Sequence, residues 1–335
     1  MSFKALTATI AAIAGLALPA TAQMVTPAPQ QASAQPNADP LSRAAALYAT
    51  YQGDVTDVKT NAFRSSGDIE TSLSNLGGHN PDQLSQGWMA YSALVAAQNP
   101  EFRASVLDID GYYGRDMFVT GLKNDPRYAR TLKGGNQAVS SSLSAVDADS
   151  ERLAGAAAYV KEQAYSLQSS GWAKGRVSNA GARADRLMAS TRVGIPARAN
   201  MLRAMSSPEI NGVLVEAGKS GSPSVWDNVT SAASTIRVPA FTASLKPQKR
   251  IARGKEPIAD RITTLAAFRI IGSDATSAQP MRVAMQDRET SGCLNMANLN
   301  LQQCVVAAHN HYEVPFCIGE HALADVGKCI GKVTQ

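Results

Sequence analysis

The chain has 335 residues, 44% of them hydrophobic but only 6% aromatic, and a formal charge of +5. This length supplies one large or two small domains, and the scarcity of rings leaves the core to Ala, Leu, Val and Ile, which suits closely packed helices. No stretch is apolar over the roughly 20 residues that a bilayer-spanning helix needs, so a transmembrane segment is excluded once the N-terminus is cleaved.

Lys4 opens the chain, Ala5 to Leu18 is apolar or small, and Pro19-Ala20-Thr21-Ala22 closes the stretch with an A-x-A pattern. Residues 1–22 therefore read as a Sec-type signal peptide cut between Ala22 and Gln23, with an uncleaved anchor as the alternative. No cysteine lies at the cut and no twin arginine precedes the apolar run. Arginine outnumbers lysine, 20 to 12, which hints at a GC-rich bacterial genome and hence a periplasmic or secreted protein. Residues 23–40 are Gln, Pro, Ala and Ser with little bulk, and read as a flexible leader.

Charge is unevenly spread. Residues 41–170 hold 11 Lys+Arg against 14 Asp+Glu, residues 171–289 hold 18 against 9, and residues 290–335 hold 2 against 3. The divisions that follow are a slightly acidic helical domain (41–170), a basic helical continuation (171–245), a basic linker or loop (246–256), a helix and connection (257–289) and a four-cysteine hairpin (290–335). The basic middle could meet an anionic envelope polymer or an acidic partner. Its sharpest feature is Lys246, Lys249, Arg250, Arg253 and Lys255, a candidate anion-binding strip whose bland reading is a solvated loop. An exported chain is not expected to meet nucleic acid.

The predicted fold class is all-α. Five polar-proline pairs punctuate helix starts: Asn80-Pro81, Asn99-Pro100, Asp125-Pro126, Ser207-Pro208 and Ser222-Pro223. Proline at the first helical position has no N–H to waste, and the residue before it can cap. Helical periodicity places Leu84, Trp88, Tyr91 and Val95 on one face. It does the same for Leu153, Ala157, Val160, Ala164 and Leu167, and for Ile258, Ile262, Leu265, Phe268 and Ile271 behind Pro257. Breaks fall at Gly77-Gly78, at Gly134-Gly135 and across 218–224. No stretch alternates convincingly with period two.

All four cysteines, Cys293, Cys304, Cys317 and Cys329, lie near the C-terminus. In an exported chain they are expected to oxidise. If each consecutive pair spans one helix, cysteines 11 apart return within about 20° of one another, whereas 12 apart leaves about 120°. The second arm therefore needs bending or fraying. Within one helix such pairs lie roughly 16 Å apart, beyond the usual disulfide limit of about 7 Å, so the bridges join the two helices. In an antiparallel hairpin paired positions have nearly constant index sums, and Cys304–Cys317 and Cys293–Cys329 give 621 and 622. The alternative sums, 610 and 633, need parallel helices, for which 307–316 is too short a link. The layout resembles the twin CX9C helical-hairpin families, with CX10C and CX11C here. The resemblance covers 290–335 and implies a shared stapling logic only. The rival reading is a zinc or copper site from His309, His311, Cys317 and His321, aided by Glu313, Glu320 or Asp325. No metal or other cofactor is favoured.

No enzyme motif survives. Gly212 to Gly218-Lys219-Ser220 imitates a phosphate loop, but with five residues between glycines where the motif needs four; it reads as a helix ended by Gly218. No G-x-S-x-G, S-x-x-K or H-E-x-x-H is present. His79 could be a loop base but reads as a turn histidine. Asp108, Asp110 and Asp116 lack calcium-loop spacing. Glu101, Glu151 and Glu162 are the candidates for a single catalytic glutamate. Tyr112, Tyr113, Trp88, Trp172 and Trp226 could stack on sugars, or simply give bulk to an alanine-rich core. The expectation is a non-enzymatic periplasmic scaffold that docks an envelope protein or its own copy through the stapled hairpin. A wall-binding protein or hydrolase is the alternative, and a metal-binding protein the lesser one.

Overall fold

A computed structural model describes residues 39–230, 232, 236, 249–272 and 275–334. The expected signal peptide, nearly all of the leader and Lys246 lie outside these residues. The α-helices in chain order are α1 (Pro40–Thr60), α2 (Ser66–Gly77), α3 (Pro81–Ala96), α4 (Pro100–Tyr113), α5 (Arg115–Asn124), α6 (Tyr128–Thr131), α7 (Gly135–Leu167), α8 (Ala180–Val193), α9 (Ala199–Met205), α10 (Ile210–Ala217), α11 (Glu256–Ile271), α12 (Ala275–Ala284), α13 (Arg288–Ala307), α14 (Glu313–Cys317) and α15 (Asp325–Gly331). Among the described residues there is no strand; two isolated bridges pair Arg176 with Asn310 and Ile251 with Thr334.

Short side chains set several helix starts. Asn80 accepts from Gln83 N at 3.0 Å and Asn99 from Phe102 N at 2.9 Å, each with proline at the next position. The other three polar-proline pairs do not cap helices. Asp125-Pro126 forms a turn before one-turn α6, Ser207-Pro208 a turn before α10, and Ser224 rather than Ser222 caps the 3₁₀ turn Val225–Asn228. These segments are too short for a proline to be followed at once by a full helical turn.

One hydrophobic cluster runs from Leu41 on α1 to Val333, and the described residues form one compact unit. At its centre α3 is buried on nearly all sides, beyond the single face that its periodicity marks. It crosses α1 at Gly87, where a Cβ would lie 2.7 Å from Ala44 O and 2.9 Å from Tyr48 N. Only a residue without a side chain lets the two backbones meet there.

The C-terminal helices dock on the long helix α7 by the same device. A Cβ on Gly319 would lie 3.0 Å from Ala157 O, one on Gly327 3.1 Å from Leu153 Cβ, and one on Gly331 2.6 Å from Ser150 Oγ. The disulfides are Cys293–Cys329 and Cys304–Cys317, with Cα–Cα distances of 5.7 and 5.6 Å. This is the pairing that the index sums select. The second arm, Glu313–Gly331, changes its winding along its length. It runs α14, then a π-helical stretch Ile318–Ala324, then α15. Bonding from i to i+5 takes up one extra residue. Twelve residues then behave as eleven, and Cys317 and Cys329 return to within about 20° of one face.

The charge asymmetry is partly consumed inside the molecule. Basic residues of the middle segment pair with acids of the first half: Arg183 with Glu70, Arg198 with Asp54 and Lys249 with Asp147. Arg269 pairs with Asp39 at the start of α1.

Candidate functional site

Chemistry-bearing side chains gather first in the interior. Asp149 on α7 is fully buried. It accepts from Tyr48 Oη at 2.9 Å, Trp226 Nε1 at 2.9 Å and Ser224 Oγ at 2.6 Å. Burial pushes its carboxyl up to about 6, while the Ser224, Trp226 and Tyr48 bonds and the Arg152 charge hold it down. Burial likewise raises the Tyr48 and Tyr91 phenols well above their ordinary value, with the Asp149 charge adding to it. One turn along α7, Arg152 donates to Asp227 Oδ1 at 3.0 Å, Gln52 Oε1 at 2.6 Å and Trp226 O at 3.1 Å. Together these bonds pin the 224–229 segment to α1 and α7. Trp226 is sealed between Tyr48 and Tyr91, at centroid distances of 5.9 and 5.0 Å. A carboxylate with three donors and no exposed surface organises the packing around it.

His79 follows the same pattern. Its Nε2 lies 2.9 Å from Asp54 Oδ2, Arg198 takes Asp54 Oδ1, and the Tyr51 ring meets the imidazole edge-on at 5.3 Å. Both carboxylate oxygens are occupied and the imidazole is buried. This is a buried ion-pair cluster rather than a loop base.

The other residues singled out from sequence lie apart. Glu101, at the start of α4, pairs with Lys133; Glu151 and Glu162 lie on exposed positions of α7. Asp110 binds Arg115 through two bonds of 2.8 and 3.0 Å, and Asp108 and Asp116 are exposed. Trp88 and Trp226 are core residues, whereas Trp172 is partly exposed. Tyr112 and Tyr113 project at the α4–α5 corner, 81% and 57% exposed, packed edge to face at 4.7 Å. Of the basic strip, Lys249 and Lys255 already pair with Asp147 and Glu289, while Arg250 and Arg253 are exposed. The strip is tied down by Ala252 N donating to Val333 O at 3.0 Å.

The metal-ligand set does not assemble. Cys317 is spent in a disulfide, His321 Nδ1 lies 2.8 Å from Asp325, and Glu320 binds Lys161 at 2.9 Å. The Lys161 bond holds the Glu320 carboxyl below its ordinary value. Glu313 caps the turn by accepting from His309 N and Asn310 N. Among the described residues no group of three or more His, Cys, Asp or Glu is arranged to hold a metal ion.

What the stapled hairpin leaves outside is a surface. Thr290, Leu294, Ala297, Leu301 and Val305 of α13 are buried, and Met296, Leu299 and Val306 emerge on the outward face. This face ends at a groove of about 270 Å³ beside Cys304–Cys317, lined by Ala307, Tyr165, Tyr312 and Phe316 among others. Residues 290–312 contain no Asp, Glu, Lys or Arg. After Arg288 and Glu289 in its first turn, α13 carries no charge from Thr290 to its end, a departure from an ordinary solvated face.

No family model matches the chain, and no curated protein or solved structure matches it either. The charge-free run was readable in the sequence, but which of its residues face outward depends on how α13 packs against α3 and α8.

Proposed function

We propose that the protein is a non-enzymatic interaction protein of the bacterial periplasm, docking another polypeptide through the outward face of α13 and the groove at its end. The observation that carries this reading is the charge-free stretch 290–312, whose outward side bears the exposed Met296, Leu299 and Val306. The cores of protein interfaces are depleted of charge and enriched in Met and aromatic residues, and Tyr165 and Phe316 supply the rings here. Two disulfides and the signal-like first 22 residues support an oxidising compartment outside the cytoplasm. Among the described residues no helix is long and apolar enough to cross a membrane.

The test is in-cell crosslinking of the mature protein beside the M296K/L299K/V306K variant, read by mass spectrometry. Lysine on an exposed helix face is expected to leave the fold intact. A stoichiometric partner that disappears in the variant supports the reading, and complexes that persist unchanged refute it.

A second reading, wall-polysaccharide binding, is favoured by the projecting Tyr112–Tyr113 pair. Retention on purified peptidoglycan that is lost in Y112A/Y113A would promote it. Turnover of that material, abolished by E101Q, E151Q or E162Q, would make the protein a hydrolase instead.

A further inference from the structure

We propose that the cavity walled by α5, α11 and α12 is a binding site for a small amphiphile, a single carboxylate head on an apolar chain. The cavity holds about 540 Å³, within the usual range for small-molecule sites. Its floor is apolar. Leu122 and Phe268 are buried yet face it, and Pro126, Pro280, Val283 and Ala284 complete the wall.

Three residues of α11 build one side at helical spacing: Arg261, Thr264 and Phe268. On the opposite side stand Gln279 and Val283 of α12, where Arg282 holds the Gln279 carboxamide with bonds of 3.1 and 2.8 Å. Among the described residues the charged lining groups are Lys123 and Arg261, and no acid lines the cavity. Among the described residues neither cation has an acidic partner or a side-chain hydrogen bond.

This sets them apart from the surrounding arginines. Arg127 pairs with Asp125, Arg130 with Asp260 and Arg269 with Asp39. Two cations without an acidic partner among the described residues, set beside an apolar hollow, complement an anion that brings its own apolar body. The guanidinium can take a carboxylate through two parallel bonds, with the chain lying on Phe268 and Leu122. Long side chains of Lys and Arg suit this position because their stems cover apolar surface while their heads hold charge. The groove beside Cys304–Cys317 is smaller and carries Glu313 in place of a cation, so it does not fit the same ligand. The two sites share no residue, and the amphiphile site stands or falls independently of the docking face.

The experiment is isothermal titration of the oxidised mature protein with decanoate, decan-1-ol and acetate. It is repeated on K123A/R261A and on V283W, which fills the cavity mouth. Decanoate should bind saturably below its micellar concentration, with decan-1-ol weaker by about tenfold or more because a charged hydrogen bond is lost. Acetate should show no binding. K123A/R261A should weaken decanoate by about tenfold or more and leave decan-1-ol unchanged. V283W should weaken both chain-bearing ligands, with an unchanged thermal unfolding midpoint in both variants. Equal binding of the alcohol and the carboxylate, decanoate affinity unchanged in both variants, or no saturable binding would each overturn the assignment.

Discussion

Replacing Asp149 with Asn tests how the interior is held together. The carboxyl has a folded pKa of about 6 against an unfolded value of 3.8. The folded state therefore holds its proton over a range where the unfolded chain has released it. Stability from this group is highest at low pH, falls as pH rises through roughly 4 to 6, and is level above that. The full loss is on the order of 3 kcal/mol, of which about 2 falls between pH 4.5 and 7.5. Asn has nearly the same shape and cannot ionise. The absolute stability of D149N depends on how its amide meets Ser224, Tyr48 and Trp226, but the pH dependence of its difference from wild type does not. Every other titrating group is common to both proteins and cancels. Urea unfolding followed by tryptophan fluorescence, at several pH values between about 4.5 and 7.5, reads the gap directly. D149N should gain on wild type by about 2 kcal/mol across that range, a midpoint shift near 0.7 M if the slope is about 3 kcal/mol/M. Parallel curves would refute the reasoning, because they would mean that the buried carboxyl carries the same charge in both states.

Other substitutions probe other supports. G87A should destabilise by about 1–3 kcal/mol, since a methyl there meets the α1 backbone, whereas G155A, which meets nothing within 4 Å, should stabilise by up to about 1 kcal/mol; thermal unfolding compares the two. R198A should cost about 3 kcal/mol by leaving Asp54 buried with His79 alone, measured by urea unfolding at neutral pH. Removing Cys304–Cys317 by double alanine substitution should cost about 3 kcal/mol, and removing Cys293–Cys329, which closes the longer loop, about 4 kcal/mol. Equal losses from the two would argue against unfolded-state entropy as their source.

What could be read from sequence was what depends on near neighbours. Asn80-Pro81 and Asn99-Pro100 cap helices because the cap, the proline and the donor lie within four residues. The disulfide pairing was readable because a hairpin constrains index sums whatever the surroundings. The interior charge network was not: Asp149 finds Tyr48 101 positions away and Trp226 77 positions away. Nothing local marks Ser224, or separates Arg152 from a solvated arginine. The pairing of the basic middle segment was hidden for the same reason, since Arg183 and Arg198 meet their acids only after α8 and α9 return to α1 and α2. Arg261 gave no signal of its own, because a cation without an acidic partner among the described residues stands out only once its neighbours' pairings are known.

The π-helical stretch Ile318–Ala324 has a consequence for how such hairpins can vary. It takes up a one-residue difference in arm length by a π-helical change of winding, and Tyr51 Oη donates to Ala322 O within it at 2.7 Å. An arm with one residue fewer could run as plain α-helix and present the same two sulfurs. Cysteine spacing in these modules thus measures length and winding together, and chains whose spacings differ by one can build the same staple. Single-residue insertions or deletions inside 318–324 should therefore be tolerated by the bridges more readily than those in the all-α arm opposite.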